Sequence, residues 1–293
     1  MLFAEQYLPE DIASAVRESE DEITEIRIRA GRQSALTLSG GRGNRLVASP
    51  VPEQTLRRML ARMMEFSIYA WEDELCRGFF TLADGSRVGV AGRCIIKNGA
   101  ISKMGEIGSV CIRIAREVRG AGRQLFRLMR DCSGESVLVL SPPGRGKTTL
   151  LRDGARLLSE AGWNIGIADE RSEIAACRRG IPSLDVGPRT DVLDGCPKEI
   201  AIPMLIRSMS PDVILTDEIG REQDAEALRE AARCGVSVVA SAHASGLEDA
   251  FTRRATGELL RDGTFRYVMI LREIGEPAEV RELRRLRPGE GCA

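Results

Sequence analysis

The chain has 293 residues and a nearly balanced charge, with a formal net charge of -1 at pH 7. Apolar residues make up 43%, which fits one large or two medium globular domains. The charge balance, together with an aromatic content of only 4%, argues against a protein that binds nucleic acid through bulk basic charge or stacked bases.

Cysteine spacing and hydropathy indicate the compartment in which we expect the protein to work. The eight cysteines form no Cys-x-x-Cys pair, so they predict neither a zinc site nor a redox pair, and we interpret them as reduced residues in a reducing compartment. No segment approaches the run of about 20 apolar residues that spans a membrane, and the first residues lack the basic start of a secretory signal. We therefore expect a cytoplasmic protein that meets a membrane only through partners.

Residues 1–120 predict a small α+β domain. The dipeptides Asp84-Gly85 and Asn98-Gly99 each separate extended apolar runs, which predicts hairpin turns and three antiparallel strands between residues 78 and 103. Residues 51–66 carry apolar side chains three and four positions apart, the pattern of an amphipathic helix. The other expected elements are a helix at 7–20 and strands at 23–30, 34–40 and 109–118.

From residue 134 onward, apolar runs alternate with helical segments. The first four runs are almost continuously apolar, as parallel strands covered by helices on both faces are. We therefore predict a parallel α/β domain over residues 134–293, joined to the first domain by a linker helix at 121–133. The runs lie at 136–140, 164–169, 212–217, 236–241 and 265–272.

The segment SPPGRGKTT follows the first apolar run and precedes a helical segment. Its last part matches a phosphate-binding loop, although Ser141 replaces the usual first glycine. In such loops backbone N–H groups and the start of the helix face phosphate, the lysine reaches the β and γ phosphates, and the threonine hydroxyl ligates Mg²⁺. The predicted nucleotide-binding residues are Pro143, Gly144, Arg145, Gly146, Lys147, Thr148 and Thr149, of which Lys147 is also catalytic and Thr148 also a metal ligand.

Acidic residues at the end of a later strand supply the second element of an ATPase site. Asp217 ends the run at 212–217 and Glu218 follows it; we assign Asp217 to the Mg²⁺ shell and Glu218 to the attacking water as general base. Asp169, Glu170 and Glu173 end or follow the intervening strand and could reach the Mg²⁺ or the water, with Glu170 and Glu173 as further catalytic candidates, although a surface acidic cluster paired with Arg171 would also explain them. His243, the single histidine, is expected to sense the γ-phosphate, although a cap or core hydrogen bond would also explain it. ATP is favoured over GTP because the guanine-binding signature is missing.

Long segments around these motifs resemble the stage III sporulation protein AA family. The resemblance reaches the first domain through YAWEDELCRGFFTLADGSRVGVAGRC and IRIARE, and it covers nearly the whole chain. The segments of the second domain that carry it are SPPGRGKTTLLRD, DERSEIA, GPRTDVLDGCPK, LIRSMSPDVILTDEIG and SAHASGLED.

The resemblance implies a fold, an activity and a setting. The family is similar to the ATPases of type II and type IV secretion, which implies a RecA-like P-loop ATPase domain with a parallel sheet, preceded by a smaller α+β N-terminal domain. The implied activity is that of a hexameric ring motor that uses ATP and Mg²⁺. The implied setting is the mother-cell cytoplasm, where the motor serves the channel complex between mother cell and forespore. Its implied partners are the other stage III sporulation operon proteins, AB to AH.

Secretion ATPases also use N-domain arginines near the nucleotide. The resemblance assigns that role to Arg113 and Arg116, although a solvated strand face would explain them as well. Two other functions stay open at this point. A nucleic-acid-translocating ATPase is disfavoured by the balanced charge, so no direct nucleic-acid partner is expected. A scaffold that binds ATP without hydrolysing it is disfavoured by the intact Lys147 and Glu218.

Overall fold

The computed structural model describes residues 2–19, 23–38, 44–47, 50–272 and 278–287. The chain forms two compact units, Met1–Arg116 and Glu117–Ala293. The residues that the sequence predicts as a linker helix, 121–133, lie in the second of these units. Over the described residues, no helix is both long enough and apolar enough to cross a bilayer.

The first unit is built on an antiparallel sheet whose strand order, among the described residues, is β3-β2-β1-β6-β5-β4. Alternation in β1 buries Ile26 and Ile28 in a core that also takes Leu56 and Met63 from α2. The intervening Arg27 lies on the opposite, polar face, as the period of two requires. The elements are α1 Glu10–Arg17, β1 Ile23–Arg29, β2 Ser34–Leu38, β3 Asn44–Val47, α2 Glu53–Met63, α3 Glu72–Cys76, β4 Phe79–Thr81, β5 Arg87–Lys97 and β6 Ala100–Arg113.

One strand prediction in this unit is wrong in its limits. The sequence divides residues 100–118 into two strands, but β6 is one strand that ends at Arg113. β6 pairs with β5 along its whole length, and the pairing register shifts near Gly92. A side chain at Gly92 would place its Cβ only 1.9 Å from the Glu106 carbonyl oxygen, so the close approach of the two strands depends on glycine there.

The second unit is a mixed sheet with the order β13-β12-β7-β11-β10-β8-β9 among the described residues. Strands β12, β7, β11, β10, β8 and β9 run parallel, and β13 is antiparallel to β12. The elements are α4 Arg123–Asp131, β7 Val137–Ser141, α5 Lys147–Glu160, β8 Ile165–Asp169, β9 Thr190–Asp194, α6 Lys198–Met209, β10 Val213–Glu218, α7 Glu222–Arg233, β11 Ser237–His243, α8 Leu247–Thr252, α9 Arg254–Arg261, β12 Tyr267–Leu271 and β13 Val280–Arg285.

Two hydrophobic cores cover the faces of this sheet. Successive residues of β7 alternate between them: Leu138 belongs to the core with α6, α7 and α9, and Val139 belongs to the core with α4 and α5. This burial on both faces explains the continuously apolar runs, and all five runs of the predicted domain form strands.

The sequence misses β9 and β13, which are polar strands at the two edges of the sheet. Among the residues of β9, Thr190 and Asp194 stay partly exposed, and most side chains of β13 are exposed. An edge strand needs only one covered side, so it carries no apolar run that would reveal it. The hydrogen bonds that place these strands come from β8 and β12, not from their own pattern.

The start of the second unit is fastened to helix α5. Asp153 is buried, and its Oδ2 accepts hydrogen bonds from the backbone N–H groups of Gly120 at 2.9 Å and Gly122 at 2.7 Å. A Cβ on Gly122 would lie 2.2 Å from the backbone nitrogen of Gly154. The chain at 120–122 therefore lies directly on the backbone of the helix that follows the phosphate-binding loop motif.

Candidate nucleotide site

Parallel pairing brings the predicted site residues to one edge of the second sheet. His243 pairs in register with Ser141, and Glu218 pairs with Ser241 on the same neighbouring strand. Asp169 ends β8, which pairs with β10. The carboxyl ends of these strands therefore meet at one place, which is where ligands bind in open α/β sheets.

The loop after β7 has the backbone shape that phosphate binding requires. Gly144 and Gly146 have φ of +74° and +85°, the left-handed region that glycine tolerates best. Pro143 precedes Gly144 and Arg145 lies between the two glycines, where the Arg145 carbonyl accepts a hydrogen bond from the Ala278 backbone N–H at 2.8 Å. The first turn of α5 carries Lys147, Thr148 and Thr149, of which the two threonines are partly exposed.

Lys147 is buried against the loop that it would leave to meet a phosphate. Its Nζ donates to the Ser141 carbonyl at 3.0 Å and to the Pro142 carbonyl at 3.3 Å, and it lies 2.8 Å from His243 Nδ1. Burial lowers the pKa of Lys147 to about 8, although the charge of Glu218 opposes this shift. The ammonium is thus desolvated, and new anionic contacts there would be strong.

His243 connects Lys147 with Glu218. Its Nε2 lies 3.0 Å from Glu218 Oε2, while Nδ1 faces the Lys147 ammonium. Because an ammonium only donates, we assign Nδ1 as the acceptor, which leaves the proton on Nε2 to be donated to the carboxylate. A cavity of about 570 Å³ opens beside Glu218 and His243, with room for water next to the carboxylate.

Asp217 is paired with a lysine that the sequence analysis did not single out. Lys198 Nζ lies 2.7 Å from Asp217 Oδ1 and donates to Glu170 Oε2 at 2.9 Å. Burial raises the pKa of Asp217 to about 6, and Lys198 opposes that shift. Burial alone would lower the pKa of Lys198, but the charges and hydrogen bonds of Asp217 and Glu170 together more than offset it, so the pKa is raised and the side chain stays an ammonium.

Asp169 has a structural role in the acidic segment that follows β8. Its two oxygens accept hydrogen bonds from the backbone N–H groups of Glu173 at 2.8 Å, Ile174 at 3.0 Å and Ala175 at 2.9 Å. These bonds fix the turn that carries Glu170 and Glu173. Glu173 is exposed, but its charge raises the pKa of both Lys147 and Asp217, so its field reaches the site.

The two candidate arginines of the first unit have different surroundings. Arg113 ends β6, is 62% exposed, and donates from Nε to Glu25 Oε1 at 3.1 Å. Arg116 lies beyond the strand, and its Nη2 donates to the Ile23 carbonyl at 2.8 Å. Arg113 also lines a cavity of about 380 Å³ within this unit, together with three arginines that the sequence analysis missed, Arg27, Arg29 and Arg87.

The residues present fit a nucleotide with Mg²⁺. Oδ1 of the buried Asp217 faces the Lys198 ammonium at 2.7 Å, whereas Oδ2 accepts no hydrogen bond from any described residue and retains capacity for a cation or its water shell. Mg²⁺ commonly takes one or two protein ligands together with phosphate and water oxygens. Asp217, with the hydroxyl of the partly exposed Thr148, supplies ligands of this kind.

Taken together, the strand, loop and helix on a parallel sheet, with an acidic pair ending β10 on the far side of β11, define a RecA-like P-loop fold. The ATPase DotB of Legionella pneumophila superposes with a TM-score of 0.58 at 14% identity, over 89% of this chain and 76% of that one. The pilus retraction motor PilT gives 0.58 at 16% identity, over 98% and 83%. At these identities the likeness shows the fold alone, and it confirms the predicted fold class.

The chain belongs to the stage III sporulation protein AA family. The family model for "Sporulation stage III, protein AA" matches residues 11–289. The Stage III sporulation protein AA of Bacillus subtilis (strain 168) is 42% identical over 280 residues, which are 92% of this chain and 91% of that protein. These matches confirm the resemblance that the sequence analysis stated.

Proposed function

We propose that the protein is a Mg²⁺-dependent ATPase that works as a ring motor and energises the channel complex between mother cell and forespore. The observation that carries this proposal is the chain of contacts from Lys147 through His243 to Glu218. It joins the phosphate-binding loop to the acidic strand end, so that the group that binds phosphate and the group that would activate water respond to each other.

In this proposal the loop binds the phosphates of ATP. Backbone N–H groups from Gly144 to Thr148 donate to phosphate oxygens at the positive end of α5. Lys147 leaves the Ser141 and Pro142 carbonyls for the β and γ phosphates, because a buried ammonium gains more from an anion than from neutral carbonyls. Pro143, Arg145 and Thr149 shape and flank the loop.

Glu218 is the proposed general base. It is partly exposed, with 33% of its side chain accessible, and faces the cavity in which water can stand. His243 orients the Glu218 carboxylate through Nε2, and its Nδ1 loses a contact when Lys147 moves away. Glu170 and Glu173 complete the acidic wall of the site and act through their charge.

Mg²⁺ is proposed to be held by Thr148 and Asp217. When bound, the ion would neutralise charge on the β and γ phosphates. Asp217 is suited to hold it because its carboxylate is buried and fixed at the end of β10, one residue before Glu218. A metal ligand and a general base on adjacent residues of one strand stay at a constant separation.

The site is proposed to be completed by arginine in a ring of identical subunits. Arg113, and with it Arg116, would stabilise charge that develops on the transferred phosphoryl group. The proposed ring is hexameric, as the similarity to secretion ATPases implies. The proposed location is the mother-cell cytoplasm, with attachment to the membrane through the other operon proteins, AB to AH.

Turnover of ATP by the purified full-length chain tests this proposal. We expect Glu218→Gln to keep ATP binding and to lose turnover by about 10²-fold or more, because the amide cannot accept the proton of water. Lys147→Ala should weaken binding itself. Glu222→Gln is the matched control, since Glu222 lines the same cavity but pairs with Arg254.

The alternatives give different results in the same assay. Binding of ATP without turnover by the unaltered chain would indicate a scaffold. Turnover that rises steeply with added nucleic acid at low salt would indicate a translocase on that polymer. Turnover by Glu218→Gln at the unaltered rate would overturn the assignment of the base.

A further inference from the structure

Lys198 is a charged side chain placed where helix energetics disfavour it. It is the first residue of α6, directly after Pro197, and only 4% of its side chain is accessible. The positive end of the helix dipole repels a cation in the first turn, and burial of an ammonium carries a large desolvation cost. The favourable interactions that keep it there come from Asp217 at 2.7 Å and Glu170 at 2.9 Å.

The segment before α6 is shaped to deliver this ammonium. The Gly195 backbone N–H donates to the Asp169 carbonyl at 2.9 Å, which holds the end of β9 against the end of β8. Gly195 itself has φ of +64°, which turns the chain toward the acidic strand ends. Lys198 therefore reaches Asp217 and Glu170 from a backbone position that is held in place.

In the cluster of Lys198, Arg221, Asp217 and Glu170, two positive charges face two negative charges before any metal arrives. One ammonium faces the carboxylates of Asp217 and Glu170, and an exposed guanidinium, that of Arg221, lies 3.8 Å from the other oxygen of Glu170. A divalent cation that approached Asp217 alone would meet a positive charge within contact distance of the same oxygen. Mg²⁺ that arrives on a nucleotide brings compensating phosphate charge with it.

We propose that Lys198 is a positioning residue that acts as an internal counter-cation for Asp217 and prevents Mg²⁺ from binding before the nucleotide. When the Mg²⁺–nucleotide enters, the ammonium gives up Asp217 and keeps Glu170. The site then takes metal and nucleotide as one unit. This inference rests on the proposed function, in which Asp217 holds the metal.

Binding of Mn²⁺ to the full-length protein without nucleotide tests the inference, with free Mn²⁺ followed by electron paramagnetic resonance. Lys198→Gln removes the charge but keeps an amide donor for Asp217. We expect this variant to bind Mn²⁺ at least about tenfold more tightly than the unaltered chain, because one nearby positive charge is gone. Adding Asp217→Asn to Lys198→Gln should abolish the gain.

Two further variants separate this role from a purely structural one. Arg221→Ala removes an exposed cation near the same cluster and should leave Mn²⁺ binding within about twofold of the unaltered chain, because an exposed charge is screened. Lys198→Met, which lacks both charge and donor, should lower the melting temperature, and added Mn²⁺ should restore part of it. If Lys198 had only a structural role, Lys198→Met would lower the melting temperature and added Mn²⁺ would not restore it.

The outcomes do not depend on turnover. If Lys198→Gln and the unaltered chain bind Mn²⁺ with equal affinity, the inference is overturned. Tight Mn²⁺ binding by the unaltered chain in the absence of nucleotide also overturns it. If the unaltered chain hydrolyses no ATP but Lys198→Gln gains a site that Asp217→Asn removes, the proposed activity fails and the counter-cation stands.

Discussion

The ammonium of Lys147 lies 2.8 Å from Nδ1 of His243. The contact spans two neighbouring strand ends, because His243 pairs in register with Ser141, the residue at which β7 enters the loop. A phosphate that draws Lys147 away therefore removes a partner from the imidazole, and the opposite nitrogen of that imidazole holds Glu218. The following predictions test this coupling and the features around it.

His243→Ala is expected to lower turnover by about 10²-fold while nucleotide affinity changes much less. The reason is that His243 contacts the proposed base and not the loop amides that bind phosphate. The measurement is kcat and KM for His243→Ala, Glu218→Gln and the double variant. If His243 acts through Glu218, the double variant is no slower than Glu218→Gln. If the double variant instead lost turnover by the product of the two single losses, His243 would have a role independent of Glu218.

Nucleotide binding is expected to take up a proton above about pH 8. Burial lowers the pKa of Lys147 to about 8, so the side chain is charged below that pH and neutral above it. Phosphate binds the charged form and raises the pKa again. ADP affinity should therefore be flat below about pH 8 and fall up to tenfold per pH unit above it, as one linked proton requires.

Calorimetry at pH 9 in two buffers of different ionisation enthalpy measures that proton directly. Lys147→Ala, at nucleotide concentrations high enough to bind, is the control and should take up none. Identical heats in the two buffers for the unaltered chain would show that Lys147 is already charged at that pH.

Gly122→Ala is expected to destabilise the second unit by about 1–3 kcal/mol or more, since its Cβ would overlap the backbone of α5 at 2.2 Å from the Gly154 nitrogen. Gly220→Ala is the matched control in the same unit, because a Cβ there meets only Asp224 Oδ2 at 3.9 Å. Urea unfolding of both variants gives the comparison. Equal midpoints would mean that the segment at 120–122 can lift from the helix at little cost.

Turnover per subunit is expected to rise with protein concentration as rings form. Arg113→Ala should lower turnover by at least about 10²-fold with ATP binding retained, since arginines of this kind contribute about 10³–10⁵ in other systems. Arg116→Ala should lower turnover less and stability more, because its guanidinium bonds the Ile23 carbonyl. Particle mass measured alongside turnover separates loss of assembly from loss of catalysis. Full activity at high dilution would contradict the need for a ring.

Sequence patterns predict most of this fold because burial leaves a periodic record. Strands covered on both faces, such as β7, are apolar throughout, and the glycines of the loop follow from the φ that the loop requires. Edge strands leave no such record, and β9 was therefore missed. Ser141 in place of glycine is accommodated because it lies within β7, while the left-handed positions fall on Gly144 and Gly146.

The site is less predictable than the fold because its contacts join distant segments. Lys198 ends the segment GPRTDVLDGCPK, to which the sequence analysis assigned no role at the site, and only the packing of α6 against β8 brings it to Asp217. Asp169 has the same sequence context as its acidic neighbours, but three backbone N–H groups occupy its oxygens. Local sequence shows which residues can ionise, and the tertiary fold decides which partner each one meets.

Helix α5 begins at Lys147, the proposed phosphate contact, and six residues along it carries Asp153, whose carboxylate accepts the hydrogen bonds of Gly120 and Gly122. The two points are separated by about 9 Å of helix, a length that is stiff on the scale of domain motions. If α5 tilts as a rigid body, a small movement at Lys147 becomes a displacement of residues 120–122, which are bonded to Asp153. In the proposed motor, movement would reach residues 120–122 through Asp153, without any contact between that residue and the nucleotide.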